Sequence, residues 1–382
     1  GYDDRHHSFR PELMARPPLR LEAGDVLIST ISRATKAPGP HVMSKELPRH
    51  DSIALVDSAA ILTVVDSPPP PTAFRPPYCG PRRIFDSADL RWERLPRLSL
   101  PEVVPEVAFW ERVFDRPWID HVAHSWEGRL FHPRNNMPDY GREMSQAASI
   151  ASLLLGSDLT RWSKEPLLHS FVQWGIDVWG MANVAGPDGG WEAMGGHGNG
   201  RKWPMLFAGL LLGEEEILHT RALFSEDQQT YYGPGWNGAQ ALFRWHHRSY
   251  PERDWHYEEL PPESWTNLLG EEYRRCCTGV SWHGTALIAL AMDARSSWNH
   301  DAFFDYVDRW MEVPDVEDRA RLRAALGQDY VDYWNYHAQA GSGSRFGEGT
   351  TLSDFAMWMW RQHRQGIEDS SDDKQPEVEL LP

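Results

Sequence analysis

Five segments of the chain share one pattern, in which a polar loop carrying Gly, Tyr or Trp leads into an apolar run. Their spacing, roughly 35 to 70 residues, is too irregular for a solenoid but suits helical hairpins joined by loops of varied length. If the apolar runs form a ring of inner helices, the leading loops gather at one end of that ring. The pattern therefore predicts an all-α fold, an (α/α) toroid built as an incomplete barrel of helical hairpins. The segments are RNNMPDYGREMSQAASIASLLL, GGHGNGRKWPMLFAGLLLG, YYGPGWNGAQALFRW, YRRCCTGVSWHGTALIALAM and SRFGEGTTLSDFAMWMW.

The two ends of the chain differ from this helical body. The first hundred residues are rich in proline and hold two β-branched runs, 25–32 and 53–65, which are typical of strands. We therefore expect a strand and loop wrap or small lobe over residues 1–100 and the toroid over residues 101–364. Residues 365–382 are acidic and polar, and we expect them to form a mobile tail.

The most distinctive leading loop begins at Gly189 and holds six glycines in its first twelve residues. Glycine allows a backbone to approach a ligand closely, at an entropic cost. His197, Asn199 and Arg201 stand inside this loop, and the apolar run 203–212 follows at once. We interpret it as a ligand-facing loop anchored by a buried helix. The alternative is an ordinary solvated loop, while the phosphate-binding glycine motifs are absent.

Composition narrows the class of ligand. Nineteen tryptophans are an unusual excess, and aromatic rings stack on the apolar faces of sugars, so a carbohydrate ligand is favoured. A net charge of −17 without a basic patch argues against nucleic acid as a partner. No apolar run reaches the length of a membrane span, so no membrane partner is expected.

Motifs for metals and cofactors are missing. Neither HExxH nor CxxC spacing occurs, so we expect no catalytic zinc and no cofactor, while a structural divalent cation is left open. Three cysteines are too few for a disulfide framework. The sequence makes no prediction of oligomeric state.

The Trp-rich helical body, with His, Asn, Arg and Tyr in loops at the helix starts, resembles the toroidal polysaccharide lyases of the alginate-lyase and heparinase type. The resemblance covers residues 101–363. The Asn-Asn-His cluster of some of these lyases is absent, because Met137 follows Asn135 and Asn136. The resemblance implies β-elimination on a uronic-acid polysaccharide or oligosaccharide. It also implies a secreted or periplasmic location, which is inferred from the substrate class alone.

Elimination needs a group that neutralises the uronate carboxylate, a base for the C5 proton and an acid for the leaving oxygen. The catalytic candidates are Asn136 and Asn199 for neutralisation, His197 as base, and Tyr231 or Tyr232 as acid or base. The candidates for substrate binding are Arg142, Arg201, Arg274 and Arg275 as carboxylate-binding forks, Tyr140 and Glu192 in the loops, and Trp191, Trp203 and Trp236 as stacking platforms.

Two other functions fit the same fold. A glycoside hydrolase would need two carboxylates flanking the scissile bond, and Glu192, Asp139 and either Glu271 or Glu272 lie in suitable loops. A non-catalytic carbohydrate-binding protein would need only the tryptophans. The density of Asn, His, Tyr and Arg in the glycine-rich loops favours the lyase.

Overall fold

The fold is described from a computed structural model of the 382-residue chain. The chain is mainly helical, as its sequence predicts. The structure describes residues 11–38, 53–115, 117–120, 130–131, 141–194, 196–247, 250, 254–265, 273–313, 316–327 and 353–372.

The described part of the chain contains eleven α-helices and eight strands, and the strands form four two-stranded sheets. The helices are α1 (Val107–Phe114), α2 (Gly141–Leu155), α3 (Arg161–Ala185), α4 (Lys202–Leu212), α5 (Glu215–Leu218), α6 (Ser225–Gln229), α7 (His283–Ala291), α8 (Arg295–Trp298), α9 (Asp301–Glu312), α10 (Val316–Leu326) and α11 (Asp354–Asp372). The strands are β1 (Val26–Pro38), β2 (Ile53–Thr63), β3 (Ile119–Asp120), β4 (Leu130–Phe131), β5 (Gly190–Trp191), β6 (Leu223–Phe224), β7 (Thr230–Tyr232) and β8 (Ala241–Phe243).

The centre of the core is formed by α2, which is buried along its whole length and packs against α3, α7 and α11. Its serines are compatible with burial because their hydroxyls donate to the helix's own backbone, for example Ser149 Oγ to the Ser145 carbonyl oxygen at 2.9 Å. Small residues set the helix spacing. A Cβ on Gly284 of α7 would lie only 2.5 Å from the Ser149 Cβ atom.

A second buried group is formed by α1, α3 and α4. The whole of α4 is buried, and Gly175 of α3 lies directly against the Pro204 backbone of that helix. The N-terminal segment crosses α3 on another side. There the Tyr78 amide donates to Asp177 at 3.2 Å, and Gly80 and Gly180 approach each other through their backbones.

The predicted N-terminal strands are confirmed. β1 and β2 pair antiparallel from Val26 with Thr63 to Pro38 with Ile53, with register irregularities along the ladder. At the other end of the chain, α11 continues past residue 364, where we expected a tail to begin, and residues 373–382 lie outside the described part.

One predicted helix is wrong. The run after YYGPGW forms β8, which pairs antiparallel with β7 in the order Thr230 with Phe243, Tyr231 with Leu242 and Tyr232 with Ala241. The β-branched and aromatic residues of β7 favour a strand, and Gly238 turns the chain at φ +87°. The apolar run is too short to form a helix against that partner.

The glycine-rich loop lies directly on the first turns of α2. A Cβ on Gly141 would overlap the carbonyl oxygens of Gly196 and His197, and a Cβ on Gly200 would overlap the Ser145 amide. Gly200 also has φ +88°, a conformation that side chains disfavour. The glycines therefore allow contact between two backbones.

Gly200 and Gly238 form a matched pair for testing this contact, because their φ angles are +88° and +87° but a Cβ on Gly238 meets no atom within 4 Å. We expect both alanine variants to lose about 1 kcal/mol from the left-handed backbone. Gly200→Ala should lose about 1–3 kcal/mol more from overlap with α2. Denaturant unfolding measures both losses, and equal losses would contradict the close contact.

Candidate functional site

Parts of three of the five segments contact one another in the structure. They are the start of α2, the loop 192–201 and the π-turn Tyr273–Cys277, and α6 contacts this group through Glu226. We call this region the loop junction. Asn199 Nδ2 donates to the Cys277 carbonyl oxygen at 3.0 Å, and the Gly200 amide donates to Glu226 Oε1 at 2.7 Å. Cys277 is disulfide-bonded, whereas Cys79 is not. The start of α2, the glycine-rich loop and the π-turn are therefore held together by direct contacts.

Arg201 supports the loop from within. Its side chain is fully buried, and Nη1 donates to the carbonyl oxygens of His197 at 2.9 Å and Asn199 at 2.6 Å. These bonds fix the loop conformation. Arg201 therefore acts as a structural brace, and its charge lies beneath the loop instead of at the surface where a substrate contact was expected.

The other three candidate arginines are also buried, and their contacts within the described residues are as follows. Arg142 pairs with Glu143, its neighbour on α2. Arg274 pairs with Glu258, which also accepts two bonds from Arg309 Nη2 at 2.7 and 2.6 Å. The Arg275 guanidinium lies 5.7 Å from the centre of the Trp310 ring.

Lys202, the first residue of α4, is buried between aromatic rings and an acid. Its ammonium pairs with Asp227 and lies 5.6 and 5.1 Å from the ring centres of Phe224 and Trp298. Burial lowers the pKa of Lys202, and the neighbouring Asp227 opposes that shift. Trp298 Nε1 donates to the other Asp227 oxygen at 3.0 Å, which fixes the pair.

Charged groups of both signs meet at the loop junction, in a chain with a net charge of −17. Among its described residues, five buried cations accompany three buried carboxylates and that of Asp227, which pairs with Lys202 and is 25% exposed. The cations are Arg142, Arg201, Lys202, Arg274 and Arg275, and the buried carboxylates are Glu143, Glu226 and Glu258. An excess of cations creates a local field that attracts anions.

Glu226 is a candidate that our sequence reasoning missed. It is 3% exposed, and burial raises its pKa to about 7, so it exchanges a proton near neutral pH. Its Oε2 atom has no hydrogen-bond partner in the described structure, and neither do Asn199 Oδ1 and both amide atoms of Gln146. The sequence signal was an acidic pair, Glu226 and Asp227, directly before TYYGPGW.

The two candidate tyrosines lie beside the junction, on β7. Tyr231 donates its hydroxyl to Glu259 Oε1 at 3.1 Å and stacks on His256. Burial and Glu259 raise the pKa of Tyr231 well above its usual value, so Tyr231 stays protonated and suits an acid instead of a base. Tyr232 is 54% exposed and donates to Asp305, and burial together with this bond raises its pKa to about 12.

The candidate tryptophans are not free platforms. Trp191 has no exposed surface and stacks on Phe224 with ring centres 5.6 Å apart, and Trp203 is 1% exposed. Both belong to the core, which corrects the expectation that they stack on sugars. Trp236 is half-buried, with the Arg321 guanidinium 4.4 Å from its ring centre.

Among the described residues of the loop, His197 and Glu192 are half-buried, so part of each side chain reaches solvent, while His197 Nδ1 and Glu192 Oε2 are buried. The buried arginines, the amides of Gln146 and Asn199, and Glu226 lie inside the junction, and we call them its floor. The remaining sequence candidates lie outside the described residues. They are Asn136, Asp139, Tyr140, Glu271 and Glu272.

Comparisons with known proteins add no assignment, because no protein family, no curated protein and no solved structure matches the chain. Across the described ranges, no three or more His, Cys, Asp or Glu side chains are grouped to hold a metal ion. In the same ranges, no helix combines the length and apolarity that a membrane crossing needs.

Replacing Glu226 tests whether its pKa is raised in the folded protein. Its pKa is raised from 4.5 to about 7 in the folded protein, so the folded state binds the extra proton between those values. Stability should therefore fall as pH rises through this window, by on the order of 3 kcal/mol for the full shift. Glu226→Gln should remove that loss, whereas the exposed Glu215→Gln should keep it. Urea unfolding at pH 4.5, 6 and 7.5 measures the slope, and an unchanged slope in Glu226→Gln would contradict the buried titration.

Proposed function

We propose that the protein is a polysaccharide lyase that cleaves a uronic-acid polymer by β-elimination at the loop junction. The observation that carries the proposal is the gathering of buried arginines from separate segments at the loop that holds half-buried His197 and Glu192, in a chain with a net charge of −17. An acidic polymer would be repelled by most of this protein. It would be attracted where arginines from separate segments gather in a region of low dielectric.

The floor of the loop junction is proposed to neutralise the uronate carboxylate, which is the first requirement of elimination. The C5 proton of a uronate becomes acidic only when its carboxylate is neutralised, and preorganised donors then stabilise the enolate-like charge. Gln146 has an amide nitrogen without a hydrogen-bond partner in the described structure, and Arg142 lies one turn before it on α2. Both groups are fixed by a helix that is buried throughout.

Two proton transfers complete the reaction. His197 is proposed to remove the C5 proton as base; the C4–O bond then breaks, a C4=C5 double bond forms, and the leaving oxygen receives a proton. Glu226 is protonated below about pH 7 and can donate that second proton. Tyr231 is the alternative acid, since its raised pKa excludes a role as base at neutral pH.

We also propose that the helices complete an (α/α) toroid. The support is the contact of the start of α2 with the segment that precedes α4, and of that segment with the one that precedes α7, together with the packing of α2 on α7 and α11 and of α3 on α4. A ring of inner helices places such segments at one end. An extracellular polymer as substrate would also imply export.

A glycoside hydrolase is the second candidate. Glu226 is favoured for that role as well, because hydrolysis needs a carboxylic acid that is still protonated near neutral pH. Half-buried Glu192 would then be the second carboxyl group of the pair. A carbohydrate-binding protein without catalysis needs neither proton transfer.

The test is the absorbance of the unsaturated uronate at about 235 nm while alginate, glucuronan, hyaluronan, ulvan and pectate are offered in turn. One polymer should give a rising signal. His197→Ala should reduce the rate at least about a hundredfold with folding intact, because the base is lost. His219→Ala is the control, since His219 lies exposed on the surface.

A flat absorbance trace with new reducing ends would overturn elimination in favour of hydrolysis. Binding without either product would favour the non-catalytic alternative. Equal rates in His197→Ala and the parent protein would remove His197 from the reaction.

A further inference from the structure

A separate cavity of about 440 Å³ opens on the side of α3 that faces away from α4. Its walls come from the N-terminal segment around Phe74, from the end of α1 with Trp118, and from one face of α3. The volume is within the range of small-molecule pockets in proteins. Since Gly175 of α3 contacts α4 on the opposite side, the helix separates this cavity from α4.

The base of this second cavity is formed by an ion pair whose charges balance. Arg75 pairs with Asp177, whose other oxygen accepts the Tyr78 amide at 3.2 Å. Gln173 Nε2 donates to the Arg75 carbonyl oxygen at 3.1 Å, which ties the N-terminal segment to α3. Arg75 therefore neutralises Asp177, and the floor offers neither a free anion nor a free cation to a ligand.

One wall is apolar and rigid. Phe114 stacks on Trp118 with ring centres 4.7 Å apart and an interplanar angle of 12°, and Trp118 lies 4.4 Å from Trp174. Trp118 Nε1 donates to the Val113 carbonyl oxygen at 2.9 Å, so the indole is held by a bond as well as by packing. The three rings are 3–4% exposed, and the small part of their surface that lines the cavity can contact the C–H side of a sugar ring.

Polar groups line the cavity beside this wall. His169 and Ser170 are half-buried and lie one turn before Gln173 and Trp174 on the same face of α3. The His169 ring contacts Phe74 edge-on, with ring centres 5.9 Å apart, and within the ranges that the structure describes neither His169 nor Ser170 has a side-chain hydrogen bond to the protein. Burial lowers the pKa of His169, so its imidazole is neutral at pH 7. A neutral imidazole and a hydroxyl can each donate and accept, as sugar hydroxyls do.

We propose that this cavity is a second carbohydrate site, which binds an uncharged sugar unit against the aromatic wall of Phe114, Trp118 and Trp174 and the adjacent polar pair of His169 and Ser170. The paired floor, the apolar wall and the hydrogen-bonding groups match an uncharged sugar, and the acidic side chain of Asp115, which also lines the cavity, disfavours a uronate. The cavity therefore differs in ligand from the cationic loop junction, and the inference does not rest on the proposed elimination.

The experiment is isothermal titration calorimetry of the full chain with cellotetraose, mannotetraose and xylotetraose, and with a tetraglucuronate for comparison. At least one neutral oligosaccharide should bind. The double variant with His169→Ala and Ser170→Ala should weaken that binding about tenfold or more, because two hydrogen bonds to the sugar are lost. Within the described structure, the variant also removes the edge contact of His169 with Phe74. His219→Ala serves as the control and should bind as the parent does.

Circular dichroism of the double variant verifies that it is folded. The inference is overturned if none of the neutral oligosaccharides binds, or if the folded double variant binds them as tightly as the parent. Because binding is measured directly, a failure of the elimination assay leaves this result unaffected.

Discussion

The structure depends on the contact between two backbones, those of the glycine-rich loop and the start of α2. Gly141 and Gly200 permit it, and the bonds from Asn199 to the Cys277 carbonyl and from the Gly200 amide to Glu226 extend it to the π-turn and α6. Without this contact the arginines of three segments would not share one buried region. The same glycines that cost entropy on folding therefore create the junction.

Electrostatics give that junction its chemical character. Burying several cations is unfavourable unless partners compensate, and Glu143, Glu258 and the carbonyls bound by Arg201 do so. Glu226 is different, since its environment favours the protonated form up to about pH 7. A buried acid that titrates near neutral pH beside a cationic floor is typical of functional sites, although structural networks also perturb pKa values.

Sequence reasoning predicted the helix at 203–212 because a continuous apolar run of this length is typical of a buried helix. It also identified the glycine-rich loop, since glycine density reflects a local backbone requirement. It failed for the strand after Gly238, because the pairing of that strand with β7 depends on tertiary structure and not on the local sequence. It also could not separate Trp191, fully buried on Phe224, from an exposed platform, or single out Glu226, because burial and its effect on pKa arise only from packing.

The central claim is that an acidic saccharide binds over the cationic floor of the loop junction. The most direct measurement is a crystal structure of the His197→Ala variant with a uronate tetrasaccharide. The account predicts a sugar on the loop surface at residues 192–197, with a carboxylate within hydrogen-bonding distance of a donor of the junction. A tetrasaccharide bound only elsewhere, with this loop surface bare, would contradict the account.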